Sequence, residues 1–126
     1  MTGVPQKWAE RAIYDLDTAR AMLESRRYLY VLFCCQQAVE KMLKALITKR
    51  SQKPPPRLHQ LVRLAEEAQV LISEKQADFL RELSAHYIQS RYPEEIEDVL
   101  TQLSAEQASQ VVEKTEEIVR WLKSML

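Results

Sequence analysis

Apolar residues recur at intervals of three and four along most of this chain, the spacing of a helix face turned toward a core. Trp8, Ala12, Leu16, Ala19 and Leu23 form the first such stripe, widened by Ala9 and Ile13. Pro5 stands where a first-turn proline opens a helix. A second helix is predicted from about Tyr28 to Lys49. Its main line is Leu32, Cys35, Val39, Met42 and Leu46, with Val31, Ala38, Leu43, Ala45 and Ile47 beside it. On a helical wheel Gln36, Gln37, Glu40, Lys41, Lys44 and Thr48 share roughly 140°, which leaves about 220° largely apolar. An ordinary surface helix has a narrower stripe. Helix 2 is therefore expected at the centre, packed on several sides by other helices or by a second copy, and a homodimer is the expectation that follows.

Pro54-Pro55-Pro56 predicts an extended loop after helix 2. A short helix from about Leu58 to Ala68 carries Leu61, Leu64 and Ala65, with His59 near its start as a structural hydrogen-bonder. Ser73-Glu74-Lys75-Gln76 is a capping-box signature. The helix it opens buries Phe79, Leu80, Leu83 and Tyr87. Continued to Arg91, it would set that guanidinium about 20° from Leu80 on the wheel. Pro93 restricts Tyr92 and stops the helix. The acidic stretch Glu94-Glu95-Ile96-Glu97-Asp98 reads as a connecting loop with a short helical turn. A second capping box, Ser104-Ala105-Glu106-Gln107, opens a last helix whose stripe runs Ala108, Val111, Val112, Thr115, Ile118, Val119, Leu122, Met125 and Leu126.

Composition supports an all-α fold. The 126 residues are read as one domain, 1–126, and contain a single glycine, Gly3. Glycine-rich loops that cradle phosphates are thereby excluded. Eighteen basic and eighteen acidic side chains cancel, so any contact with RNA has to come from a local patch such as Lys49, Arg50, Lys53 and Arg57. Cys34 and Cys35 are neighbours on a helix, about 100° apart, and read as two free thiols suited to a reducing cytoplasm. There is no signal-like N-terminal segment and no apolar run approaching ~18 residues, so export and a membrane span are not expected. His59 and His86 are the only histidines, which excludes a histidine-rich metal site and weighs against a triad; no metal or cofactor is expected. Asp15 borders the buried face of helix 1 and is a candidate partner for a buried cation.

Several of these residues carry a resemblance. Trp8-Ala9 with Asp15-Leu16 and Ala19, the block Gln36-Gln37-Ala38-x-Glu40-Lys41-x-Leu43-Lys44-Ala45, His59 before Leu61, and Tyr87-Ile88-x-x-Arg91-Tyr92-Pro93 resemble the HEPN family in order and spacing. The resemblance implies a four- to five-helix up-and-down bundle, often dimeric and often encoded beside a small nucleotidyltransferase, in a toxin–antitoxin-like pair. It also implies a nucleotide as a candidate ligand. Lys41 or Lys44 with Arg91 would hold a phosphate, and Tyr87 or Tyr92 would offer a ring to a base. Asp15, Gln37 and Glu40 would form a structural polar network, with Asp15 or Glu40 as the carboxylate for a buried Arg91.

Many members of the family are metal-independent ribonucleases marked by an arginine with a histidine four to six residues later. No histidine follows Arg91 within residues 92–98. Arg81 and His86 have the spacing, but side chains five apart on one helix diverge by about 140°. The leading expectation is thus a binding module that works with a nucleotidyltransferase. A ribonuclease toxin using Arg81 and His86, and a helical adaptor without a ligand, are the alternatives.

Overall fold

The computed structural model describes residues 3–89 and 92–126, and the side chains of 86–89, 99, 100 and 102 lie outside that description. Six helices and no strand are found among the described residues: α1 (Val4–Glu24), α2 (Tyr28–Ser51), α3 (Leu61–Glu67), α4 (Glu74–Gln89), α5 (Pro93–Gln102) and α6 (Ala105–Ser124). Both predicted capping boxes form. Ser73 Oγ accepts from the Gln76 amide while Gln76 Oε1 accepts from the Ser73 amide, and Ser104 and Gln107 repeat the exchange.

Two boundaries differ from the sequence reading. The acidic stretch is not a loop but part of α5, with Pro93 in its first turn and Glu94 and Glu95 beside it. Proline there lacks only an amide that the helix leaves unpaired anyway, and the two carboxylates face the positive end of the helix dipole. Helix α3 starts at Leu61 rather than Leu58, so His59 sits in the loop before it.

α2 is the hub. It packs against α1, α3, α4, α5 and α6, and α1 also packs against α6. Val39, Met42, Leu43 and Leu46 of α2 are almost wholly buried, among Ala12, Leu16 and Ala19 of α1, Leu61 and Leu64 of α3, Leu80 and Leu83 of α4, and Val119 and Leu122 of α6. The wide apolar arc is thus covered by the chain's own helices, and it no longer requires a second copy. A two-pronged ion pair locks the outer edge of the α1–α6 contact, where Arg20 bonds Glu116 at 2.5 Å and Asp17 at 2.6 Å.

Cys34 and Cys35 are both free and buried, on different sides of α2. Burial pushes the Cys35 thiol, which faces Thr115, up to about 12. Burial raises Cys34 as well, with Asp15 adding to the effect. Neither is a poised nucleophile, because the thiolate is the reactive form.

A chain with one glycine has to end its helices without it. Arg26, Gln52 and Gln69, just past the ends of α1, α2 and α3, take the left-handed conformation with φ of 60°, 58° and 56°. Around Arg26 and Gln69 the following amides reach back five residues, Arg27 N to Met22 O and Val70 N to Ala65 O, as in a Schellman turn. A Cβ makes this conformation unfavourable by roughly 1–2 kcal/mol, a cost glycine escapes in exchange for some unfolded-state entropy. Gln69→Gly and Arg26→Gly, both at exposed positions, are expected to stabilise the fold by roughly 0.5–1 kcal/mol each. Urea denaturation checks this, and an unchanged or lower midpoint contradicts it.

Candidate functional site

Gln36, Glu40, Lys44 and Thr48 follow one another every fourth residue, so they form a slowly winding polar line on α2. All four are buried, at 0, 4, 7 and 5% exposure. A polar line under cover is tolerable only if its members satisfy one another. Glu40 is the centre of that arrangement. Lys44 Nζ donates to its Oε2 at 3.1 Å, while Gln36 Nε2 at 3.2 Å and His59 Nδ1 at 3.0 Å share its Oε1. Gln36 Nε2 also donates to the His59 carbonyl at 2.9 Å, and its own Oε1 accepts from Gln37 Nε2 at 3.1 Å. Thr48 closes on the Ala45 carbonyl at 3.0 Å.

Two other elements finish the cover. The loop before α3 is pinned to the line by the backbone and ring of His59, whose ring is half exposed. From α1, the ring of Trp8 lies 5.7 Å from Lys44 Nζ, a cation–π contact. One turn to the side, Lys41 Nζ meets Asp15 Oδ2 of α1 at 2.5 Å. This second pair is partly open, with the lysine 25% and the aspartate 18% exposed.

The structure therefore brings together Asp15, Gln37, Glu40, Lys41 and Lys44, but in a pattern the sequence did not specify. The two lysines are not a bare phosphate cradle, since each already faces a carboxylate. Arg91 lies outside the described residues, as do the side chains of His86 and Tyr87. Tyr92 precedes the first turn of α5 and is 52% exposed. Arg81 is turned outward and bonds Asp78 at 3.1 Å.

The basic patch of the sequence reading divides. Lys49 donates to the Leu126 carbonyl, and Arg50 donates to the Ala68 carbonyl and, at 3.3 Å, to that of Gln69. These two cations tie up carbonyls at the ends of α6 and α3, which leaves Lys53 and Arg57 as the loop's exposed charges.

Sequence reasoning did not assign Gln36, Trp8 or His59 to the site. For Gln36 the signal was present: it stands four residues before Glu40, the spacing of a helical side-chain pair. Trp8 and His59 reach the site through tertiary packing, which spacing within one helix does not encode. Among the described residues no group of three or more histidines, cysteines and carboxylates is arranged to hold a metal.

Glu40 and Lys44 are a buried pair whose halves need each other. Lys44→Met leaves the Glu40 charge without its cation and is expected to destabilise the fold by roughly 3–5 kcal/mol. Adding Glu40→Leu should recover most of that loss. Gln36 keeps its bond to the His59 carbonyl, and the half-exposed His59 ring can turn to water. Urea midpoints of the single and double variants test this; a double variant as unstable as the single one contradicts it.

The HEPN domain model matches residues 5–125 of this chain. Among solved structures, the crystal structure of TT1696 from Thermus thermophilus is similar, with a TM-score of 0.81 at 22% identity, covering 99% of this chain and 100% of that one. At that identity the likeness speaks for the fold. No curated protein matches the chain. No helix among the described residues is long and apolar enough to cross a membrane. With the family pattern running from the first turn of α1 to the last residue but one, this protein belongs to the HEPN family.

Proposed function

We propose that this HEPN chain is a binding module that acts in the cytoplasm with a partner protein, and performs no RNA chemistry of its own. The partner, on the family's pattern, is a small nucleotidyltransferase in a toxin–antitoxin-like pair. The observation that supports a binding role over catalysis is the state of the α2 cations. Lys41 faces Asp15, and Lys44 faces Glu40 beneath Trp8. A phosphate reaching either lysine has to displace a carboxylate. For buried Lys44 that displacement would strand the Glu40 charge. Lys41, in the more open pair, is the lysine a nucleotide phosphate would engage. The homodimer is carried forward in the same proposal on the family's pattern.

Metal-free RNA cleavage needs a group to take the 2′-hydroxyl proton, another to protonate the leaving oxygen, and a cation on the phosphate. Arg81, the arginine with the family spacing to a histidine, is engaged with Asp78. The chain, tagged at its native locus, is expected to co-purify with a small nucleotidyltransferase identified by mass spectrometry. The purified chain is expected to leave labelled RNA intact in chelator. Recovery without such a partner would overturn the pairing. Robust cleavage lost in both Arg81→Ala and His86→Ala would put the ribonuclease reading in its place.

A further inference from the structure

Helices α4 and α6 both pack on α2, yet their backbones stand apart. Between them runs an open cleft of about 740 Å³. Its apolar floor is Phe79 of α4 with Ile118 and Trp121 of α6. Lys114 lies over the Phe79 ring at 5.7 Å and so has a partner within the chain. The remaining rim charges do not. Glu113 and Glu117, one turn apart on α6, and Lys75 on α4 are exposed and form no ion pair among the described residues. Glu116 on the same helix is bound to Arg20, whereas Glu113 and Glu117 line the cleft. The cleft-lining positions of α6 run from Gln110 to Trp121, a span of roughly 16 Å at 1.5 Å per residue. That is the shape of a groove for one more helix.

The chain carries a helix face that fits it. Val4, Lys7, Arg11 and Tyr14 fall at spacings of three, four and three, so they line one seam on the outside of α1. Val4 and Tyr14 are 59% and 65% exposed. Lys7 and Arg11 are exposed, one turn apart, and without an ion pair among the described residues. The seam is roughly 15 Å long. Its pattern, apolar–basic–basic–apolar, complements the groove's two acids and its apolar floor. The match holds in either chain direction, because both pairs of charges are spaced by four. Glu10, on one flank of the α1 seam, meets Lys75 on the opposite rim in one of these directions.

We propose that the α4–α6 groove receives α1 of a second copy of this chain, with Lys7 and Arg11 set against Glu113 and Glu117. The two copies exchange this contact reciprocally, so that the contact closes as a dimer and does not propagate. The charges set register and specificity, and the covered Val4, Tyr14 and Trp121 supply apolar burial. This rests on the homodimer of the proposed function and assigns its interface.

Light scattering at micromolar concentration tests it with charge swaps. Wild type is expected to have the mass of two chains. Lys7→Glu/Arg11→Glu sets acids against acids, and Glu113→Lys/Glu117→Lys sets bases against bases, so each variant alone is expected to fall to the monomer mass with an unchanged helical spectrum. Mixed one to one, the two variants restore opposite charges at both contacts and are expected to return to the dimer mass. Recovery on mixing also excludes misfolding as the cause of the loss. A wild-type dimer that both swaps leave intact overturns this interface and keeps the dimer. Swapped variants that dissociate but fail to recover together also overturn the interface. A wild-type monomer overturns both.

Discussion

The arrangement around Glu40 governs much of what this protein can be. α2 packs against all five other helices, and its polar line Gln36, Glu40, Lys44 and Thr48 lies under cover. A carboxylate in that position needs a cation, an amide and a fixed neighbour, and it finds them in Lys44, Gln36 and His59. The same requirement extends outward. Pinning His59 fixes the loop that leads into α3, and covering Lys44 draws Trp8 and the start of α1 against α2. One buried charge thereby ties two segments of the chain to a single helix.

This sets the terms for function. Basic residues on a buried helix suggest an anion site when only the sequence is in view. Once each lysine is seen against its carboxylate, the cluster is a closed network with one partly open edge at Asp15–Lys41. Exposed charges without an ion pair among the described residues lie elsewhere, and those of the outer α1 seam and of the α4–α6 rims are among them.

The near absence of glycine also leaves a mark. Helix ends that usually rely on glycine are closed here by Arg26, Gln52 and Gln69 in the left-handed region. Proline and acidic residues, read as signs of a loop at Pro93 to Asp98, instead open a helix of ten residues. In both places a residue type with a strong statistical meaning is overridden by the position it occupies in a helix end, where orphan amides and carbonyls set the local preference.

The sequence by itself determined the helical class, both capping boxes, the core lines of α1 and α6, the burial of Phe79, Leu80 and Leu83 on α4 and the central place of α2. Each follows from local periodicity or from a hydrogen bond between residues three or four apart, which one segment encodes on its own. The pairing of Gln36 with Glu40, and of Glu40 with Lys44, was within reach for the same reason. Only the tertiary structure decided that Lys41 takes Asp15, that His59 takes Glu40, that Trp8 covers Lys44, and that the apolar arc of α2 is filled from within the chain. These depend on the angle and register at which separate helices and a loop meet, and charge pairs across such contacts are chosen by distance in space. A helical wheel records direction about one axis, and it holds no information about what stands opposite.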